Sequence, residues 1–372
     1  MPATTWFASM TPVMQVAAVV ACVLGLASAL VAVQVLLLAQ TGSRRAARRA
    51  RIESTWRPWV VAAGLEANDA RGNAGGLPHP PRSRQEFAWF LQLWNQLQSH
   101  LRGTAHARLT GLLVELGFDR RALGLLSAGD LREQLIALAT LRHLADPRHW
   151  TQLEALLHAR SAIVSLAAAE AMVAIDATRA IATIVPLALQ RRDWSLNRLD
   201  FACRQAGADA VTPVLVQLLA VPAPPWARAR LLELLRHGDA LALAGWARSL
   251  LDGRESGDAG ASDDLERIAA LHVLGRLRSG EDRPRISRAL DAAPTAVRLA
   301  ALRALCQQAM PGDADQLATL LADRDWAVRQ AAADGLVSLP GLPPGMLGSM
   351  LDRIEDRYGR EALARALAER AA

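Results

Sequence analysis

Residues 323–339 read "DRDWAVRQAAADGLVSL", and the same pattern occurs elsewhere in the chain. Residues 292–308 read "AAPTAVRLAALRALCQQ", and residues 159–175 read "ARSAIVSLAAAEAMVAI". Each copy has a Val, then small residues, and then a large apolar residue eight positions after the Val. Apolar residues at this spacing lie on one face of a helix. The pattern therefore predicts a helix that recurs along the chain and buries one face in each copy.

The large apolar position recurs at a nearly constant interval. It falls at Leu141, Met172, Cys203, Leu234, Leu274, Leu305, Leu336 and Leu367. Successive positions are 31 residues apart, except for one step of 40 between Leu234 and Leu274. That longer step contains "DGRESGDAGASDD", a polar, Gly-rich stretch at 252–264. An insertion into a stacked array of repeats is expected in such a loop.

Two further positions follow the same period. Four residues before the large apolar position stand Ala137, Ala168, Ala270, Ala301 and Ala332. Seven residues before it stand Arg267, Arg298, Arg329 and Arg360. A second helical segment separates the copies, and a period of 31 residues accommodates two helices of about a dozen residues with two short turns. The sequence thus predicts an all-α protein with a solenoid of about eight helical hairpins over 127–372.

The repeated pattern resembles the short HEAT repeats of bacterial proteins, including the type found in phycobiliprotein lyases. The resemblance rests on "VRQAAADGLVSL", on Asp323 five residues before its Val, and on the period of about 31 residues. It implies a HEAT-like fold for 127–372 and says little about activity. The four N-terminal copies depart from it, because Gln134, Ser165, Leu196 and Ala227 stand at the Arg position.

The N-terminal part predicts a membrane anchor. Residues 13–39 run without a charged side chain, and a helix of this length exceeds the hydrocarbon core of a bilayer, which is about 30 Å thick. A cleaved signal peptide is disfavoured because no basic residue precedes the apolar run. We therefore expect a short non-cytoplasmic segment over 1–12 and a transmembrane helix over 13–39.

A basic tract follows the predicted anchor. It contains Arg44, Arg45, Arg48, Arg49 and Arg51. The positive-inside rule then places the rest of the chain in the cytoplasm, and these side chains are expected at the membrane surface. Residues 40–84 are interpreted as a juxtamembrane segment and linker, because 66–84 is rich in Gly, Pro and Asn. Residues 85–126 are expected to form a helical block before the repeats.

The basic excess is local and does not favour nucleic-acid binding. The whole chain has a formal net charge of +6. Residues 40–59 hold six Arg and one Glu, so most of the excess lies in this short tract. A nucleic-acid-binding domain is expected to carry a basic face on its folded part. We therefore predict no nucleic-acid partner.

The Arg position of the repeats has two interpretations. Arg267, Arg298, Arg329 and Arg360 could form a row that binds carboxylates or phosphates of a partner. They could instead be structural, because in HEAT-like arrays such an Arg usually pairs with an acidic turn residue, here Asp323 or Asp325. The sequence leaves both open and favours the structural one.

The remaining candidate side chains have similarly plain alternatives. Trp150, Trp194, Trp226 and Trp326 fall near turns between paired helices and could line a partner-binding edge or cover the hairpin cores. Cys203 stands at the large apolar position and is expected to be buried and inert. No catalytic, metal-binding or cofactor-binding motif occurs, so we predict no enzyme activity, no cofactor and no metal.

These features together predict a membrane-anchored scaffold or adaptor in a bacterial inner membrane, with its N-terminus outside and its solenoid in the cytoplasm. Its partner is expected to be a membrane-associated protein. The anchor and "FLQLWNQLQSHLRG" before the repeats are similar to membrane-anchored HEAT proteins of Gram-negative bacteria, which implies a glycosyltransferase of surface polysaccharide synthesis as the partner. The alternative, from the same kind of repeat, is a phycobiliprotein-lyase-like enzyme or lyase helper.

Overall fold

The computed structural model describes residues 12–65, 78–253, 261–342 and 345–371. Within these ranges all regular structure is helical and no strand occurs, so the predicted all-α class is confirmed. The chain forms two compact units, Met1–Leu144 and Ala145–Ala372. The first predicted copy of the repeat, with Leu141, lies in the first unit. The boundary between the two units therefore comes later in the sequence than the boundary predicted at 127.

The described residues of the first unit form five helices. They are α1 (Pro12–Leu65), α2 (Arg84–His100), α3 (Gly103–Glu115), α4 (Phe118–Ala128) and α5 (Leu131–Leu144). Helix α2 begins with a capping box, in which the Ser83 side chain accepts from the Glu86 N–H and the Glu86 carboxylate accepts from the Ser83 N–H. Its apolar face packs against α1 and α5.

Aromatic side chains form the centre of the first unit. Trp56 is 1% exposed, and its ring lies 4.6 Å from that of Phe90. Phe118 packs edge-on against Phe87 at 5.4 Å and against Phe90 at 5.3 Å. Phe87 and Phe90, both on α2, are therefore part of a core, and Trp56 contributes to that core.

The N-terminal prediction needs correction. Helix α1 does not end at residue 39 but continues through the basic tract to Leu65, because the Ala- and Arg-rich sequence there has high helix propensity. Residues 40–65, predicted to belong to a linker segment, are thus helical. No helix in the part of the chain that the structure describes is long and apolar enough to cross a membrane, so the transmembrane helix predicted over 13–39 is not supported.

In the second unit, helices that carry the repeated pattern alternate with helices that do not. They are α6 (Trp150–Leu156), α7 (Ala162–Ile175), α8 (Ala177–Ala188), α9 (Leu196–Ala206), α10 (Ala208–Leu219), α11 (Pro225–Leu234), α12 (Ala240–Asp252), α13 (Ala261–Leu277), α14 (Arg283–Ala289), α15 (Thr295–Gln307), α16 (Ala314–Thr319), α17 (Trp326–Ser338), α18 (Met346–Arg353) and α19 (Arg357–Ala371). The seven helices that carry the repeated pattern, here called the pattern helices, are α7, α9, α11, α13, α15, α17 and α19. Each contacts the next pattern helix along the chain.

The repeated positions form the core between the pattern helices. Six of the large apolar residues in the second unit are at most 1% exposed: Met172, Cys203, Leu234, Leu274, Leu305 and Leu336. The seventh, Leu367, is half-buried and lies on the last pattern helix that the structure describes. Ala168, Ala270, Ala301 and Ala332 have no exposed surface at all, as expected of residues in a closely packed helix interface.

Two glycines mark how closely the pattern helices approach. A Cβ at Gly275 would lie 2.9 Å from the Cα of Ala304 on the next pattern helix. A Cβ at Gly335 would lie 2.6 Å from the sulfur of Cys306. Only a residue without a side chain fits at either position, so α13, α15 and α17 pack as a tight stack.

Candidate functional site

The second unit has a groove on its surface. It lies between pattern helices α11 and α13 and has a cavity volume of about 590 Å³. Leu196 on α9 lines one end, and Gln307 on α15 lines the other. A volume of this size falls in the range of about 300–1,000 Å³ that is typical of ligand-binding clefts.

The sequence explains why the groove opens at this place. Leu234 and Leu274, which belong to α11 and α13, are the two successive positions separated by 40 residues instead of 31. In addition, Arg230 stands where α13, α15 and α17 carry the buried Ala of the repeat. The guanidinium group of Arg230 extends to the backbone carbonyls of Ala188 and Trp194, in the repeat before α11. The break in the period and the loss of the small residue therefore coincide with the groove.

Aliphatic side chains make up most of its surface. Leu232, Ala269 and Val273 form a floor in which each residue is less than 10% exposed. Ile268 is half-buried beside them. Leu265 stands at the rim with 47% of its surface exposed. A large apolar side chain exposed next to an apolar floor is typical of a surface that another molecule covers.

Two guanidinium groups in the groove wall have no carboxylate partner among the described residues. Arg230 donates to the backbone carbonyls of Ala188 at 3.0 Å and Trp194 at 2.9 Å. Arg276 donates to the carbonyl of Leu235 at 3.1 Å. Desolvation lowers the pKa of both guanidinium groups below the usual value, yet an Arg side chain stays protonated at neutral pH. Both positive charges are therefore balanced only from a distance, that of Arg230 by Asp193 and that of Arg276 by Asp239.

The third arginine in the groove wall is neutralised. Arg236 donates from Nε to the Asp200 carboxylate at 2.8 Å, and Glu233 lies 3.6 Å from its guanidinium group. Nearby, desolvation lowers the pKa of His272 below its ordinary value, and Arg303 and Arg276 lower it further. His272 is therefore uncharged at neutral pH, and the groove keeps an excess of positive charge.

The Arg position of the repeats is occupied by structural side chains. Arg298 is 5% exposed and donates from both Nε and Nη2 to the Asp323 carboxylate at 2.8 Å. Its Nη1 donates to the carbonyls of Ala292 at 3.1 Å and Ala293 at 2.9 Å. Arg298 thus joins the turn before its own helix to the turn before the next pattern helix.

The same backbone contact recurs in the later copies. Arg329 donates to the carbonyl of Asp323 at 2.7 Å, and Arg360 donates to that of Ile354 at 3.1 Å. In each case the acceptor lies six residues before the arginine, as Ala292 does for Arg298. Arg267 instead lies 4.0 Å from Asp264. This geometry favours the structural interpretation for Arg298 and Arg329, whose donors bind the protein itself.

The predicted tryptophan edge does not exist as one surface. Trp150 is 5% exposed and Trp194 is 1% exposed, and the Trp194 indole donates to the Ser165 hydroxyl at 2.8 Å. Trp226 is half-buried, whereas Trp326 is 67% exposed. The partner-binding interpretation is therefore wrong for the two buried residues, because packing against the hairpin cores removes them from the surface.

The arginines predicted at the membrane surface lie on helix α1. Arg45, Arg48 and Arg51 are exposed. Arg49 donates to Glu53 at 2.7 Å, one helical turn away. The side chain of Arg44 lies outside the described residues. The side chains that are described are therefore solvated or paired within their own helix.

Two buried carboxylates were not predicted. Asp282 has no exposed surface and Asp313 is 4% exposed; they are 31 residues apart. Arg248 donates to Asp282 at 2.7 Å, and Arg283 donates to Asp313. These pairs connect the second helices of neighbouring repeats. The spacing of 31 residues between Asp282 and Asp313 equals the repeat period and was the available signal, but only two copies carry an Asp at this position.

The described cysteines are unreactive in character. Cys203 is 1% exposed, and desolvation raises the pKa of its thiol to about 12. Desolvation likewise raises the pKa of the Cys306 thiol to about 11. Both thiols are protonated at neutral pH and are therefore poor nucleophiles. The side chain of Cys22 lies outside the described residues, and no cluster of three metal-ligating side chains occurs among those that are described.

Comparisons with known proteins do not assign the chain to a family. No protein-family model matches it, and no curated protein matches it either. Among solved structures, it is similar to the crystal structure of an engineered protein, with 18% sequence identity and a TM-score of 0.35. That similarity covers 87% of this chain and 96% of the other. A similarity this weak carries no argument about function.

Proposed function

We propose that the chain is a non-enzymatic scaffold that binds a protein partner, and that its second unit is a HEAT-like α-solenoid. The observation that carries this proposal is the groove between α11 and α13, where an aliphatic floor lies beside three arginines and one glutamate. Stacked helical pairs present extended surfaces that suit protein binding. The buried columns at a period of 31 residues and the Arg298–Asp323 pair support the HEAT-like assignment.

The thiol chemistry favours a scaffold over the lyase-like alternative. A lyase that attaches a chromophore through one of its own thiols needs a thiolate nucleophile. The raised pKa values of Cys203 and Cys306 keep both thiols protonated. No observation on the described residues favours the lyase-like reaction.

The partner can be identified by crosslinking, and the sequence determines which type of crosslinker can react with the chain. The chain contains no lysine, so crosslinkers that react with amines have almost no target on it. We expect a photo-reactive amino acid at Leu265, Leu241, Ile163 or Trp326, which are all exposed, to give a discrete adduct with one cellular protein. Mass spectrometry of the adduct then names the partner.

The resemblance to membrane-anchored HEAT proteins leads us to propose a membrane glycosyltransferase of surface polysaccharide synthesis as that partner. An adduct with a different protein would remove the glycosyltransferase and keep the scaffold. If none of the four positions gives an adduct above the background of the unsubstituted chain, the scaffold proposal itself is wrong.

The location at a bacterial inner membrane stays a prediction. In the first half of helix α1 large apolar side chains are uncovered: Val23 is 58% exposed, Leu26 72% and Leu30 71%. Water solvates such a row of side chains poorly, so another apolar phase is expected to cover them. A lipid membrane supplies that phase.

We expect the chain to remain with the membrane pellet when cell membranes are extracted with alkaline carbonate. Peripheral proteins held by charge are released by this treatment, whereas a chain held by buried apolar side chains is retained. A Cys placed at Ser83 should resist a membrane-impermeant thiol reagent in intact cells and react after permeabilisation. Release into the supernatant would contradict the membrane location, and labelling in intact cells would contradict the cytoplasmic side.

A further inference from the structure

We propose that the groove between α11 and α13 binds an acidic, amphipathic α-helix of the partner protein. This inference rests on the proposed scaffold function and specifies the site and the chemistry of the bound segment. The inference is argued from three features: the groove between two pattern helices, its aliphatic floor and the excess of positive charge among its lining residues. Each feature supports a different property of the bound segment.

The helical walls of the groove indicate a helix as the occupant. Elsewhere in this part of the unit a pattern helix lies directly against the next one, as the Gly275 and Gly335 contacts show. Helices α11 and α13 are in contact as well, but the side chains between them leave a groove of about 590 Å³. A helix from another protein could there contact both neighbours, much as a pattern helix contacts its own neighbours, in the helix-in-groove mode of recognition.

The floor sets the length and the apolar face of the occupant. On α13 the groove is lined from Leu265 to Arg276, which corresponds to about 16 Å of helix, or about three turns. Leu232 contributes to the floor from α11 and Val273 from α13. A segment of about three turns with apolar residues at i, i+3, i+4 and i+7 would cover this floor with one face.

The charges select an acidic segment. Arg230 and Arg276 use their side-chain donors on backbone carbonyls, so their positive charges are fixed in place, and the acidic groups that act on them, Asp193 and Asp239, do so without an ion pair. Arg303, on the next pattern helix, is exposed and adds a third positive charge near His272. The carboxylate that lines the groove, Glu233, lies against Arg236. Glu and Asp side chains beside the apolar face of the occupant would therefore be attracted, and Lys side chains repelled.

The same features disfavour nucleic acid as the occupant. Single-stranded nucleic acids are bound on aromatic side chains that stack with the bases, whereas the groove floor is aliphatic. Specific binding to DNA also involves many phosphate contacts. Two fixed charges and one exposed arginine are too few for that mode.

The test uses the full chain and synthetic peptides labelled with fluorescein. The acidic probe has four helical turns with Leu at i, i+3, i+4 and i+7 and Glu at the other positions, and the control probe has Lys in place of Glu. We expect fluorescence anisotropy to show saturable binding of the acidic probe only, with an affinity that falls as ionic strength rises. Equal binding of both probes would overturn the selection for acidic helices, and tighter binding of single-stranded DNA than of the acidic probe would favour the nucleic-acid alternative.

Matched variants locate the binding site. Leu265→Glu is expected to weaken binding of the acidic probe by about tenfold or more, whereas Leu241→Glu, at a position 70% exposed on α12, should leave it unchanged. Arg303→Glu should also weaken binding, whereas Arg160→Glu, also at an exposed position, changes the net charge equally and should have little effect. Thermal melts of all four variants check that folding is retained, because all four positions are exposed.

The outcomes separate this inference from the scaffold proposal. A cellular adduct from Trp326 or Leu241, together with none from Leu265, would retain the scaffold and remove the groove as its site. The absence of acidic-probe binding, or equal loss in the groove variants and their controls, would also overturn the inference about the groove. Only the absence of adducts from every exposed position would overturn both.

Discussion

Replacing Leu305 by Asp is expected to lower the free energy of unfolding of the second unit by at least about 5 kcal/mol. Loss of a buried leucine costs about 2–5 kcal/mol through the cavity alone, and an unpaired carboxylate in an apolar site adds further cost. Leu305 has no exposed surface and lies in the stack between α13 and α17. The pattern helices on both sides depend on this contact, so several repeats should unfold together.

Urea denaturation followed by far-UV circular dichroism measures this loss. Leu241→Asp is the matched control, because the same substitution at a position 70% exposed should change stability by no more than about 0.5 kcal/mol. Leu367→Asp should give an intermediate loss, since that residue is half-buried on the last pattern helix. Equal losses for Leu305→Asp and Leu241→Asp would mean that the repeated column does not hold the stack together.

The period of the sequence pattern predicted the buried residues correctly for a simple physical reason. A pattern helix contacts the preceding and following copies, so Leu274, Leu305 and Leu336 are in nearly identical environments and are subject to the same size and polarity requirements. A local sequence pattern is then enough to identify a buried residue. Leu367 departs from the prediction for the same reason, because among the described residues its helix has one neighbouring pattern helix instead of two.

The groove was only half predictable. The step of 40 residues between Leu234 and Leu274 correctly marked a break in the repeat, which we interpreted as an inserted loop. The sequence does not show which side chains line the space beside such a break. Arg230 at the Ala position was a second signal, but its direction toward the preceding repeat follows only from the contacts of its guanidinium group with backbone carbonyls.

The tryptophans and the N-terminal helix were harder to predict for a different reason. A position near a turn does not determine whether a side chain points toward the core, so Trp194 and Trp326 have similar sequence positions and opposite exposures. Composition, in turn, does not mark where a helix ends when the polar residues that follow are themselves helix formers. The basic tract after residue 39 consists largely of Ala and Arg, and α1 continues through it.

Arg298→Ala is expected to be the most damaging substitution in the Arg position, with a loss of about 3–5 kcal/mol, as is typical when one partner of a buried ion pair is removed. It strands the Asp323 carboxylate and the carbonyls of Ala292 and Ala293. Arg329→Ala removes a hydrogen bond to a single carbonyl and should cost about 1 kcal/mol. Arg267→Ala and Arg360→Ala should cost about 0–1 kcal/mol, because Arg267 is 4.0 Å from its acidic neighbour and Arg360 is exposed.

The sequence explains why Arg298 differs from the others. Asp323 lies in the turn after its repeat, and the residues 31 positions before and after Asp323 are Ala292 and Ile354. Arg267 and Arg329 therefore face no carboxylate at the equivalent place. A double-mutant cycle with Asp323→Ala measures the coupling directly. The double variant should be less destabilised than the sum of the two single variants, because it leaves no unpaired buried charge; strict additivity would contradict the pairing.

The effect of Arg298→Ala should also depend on pH in a defined direction. Burial opposes ionisation of Asp323, but hydrogen bonds from Arg298 and from the Asp325 N–H hold the pKa of its carboxyl below the usual value. A carboxyl with a lowered pKa in the folded state stabilises the fold above its unfolded pKa of about 3.9, and this contribution is lost as the pH falls toward the folded value. The difference in stability between the unsubstituted chain and Arg298→Ala should thus be largest near neutral pH and shrink in acid. A difference that stays constant from neutral to acid pH would show that the carbonyl contacts, and not the carboxylate of Asp323, account for the role of Arg298.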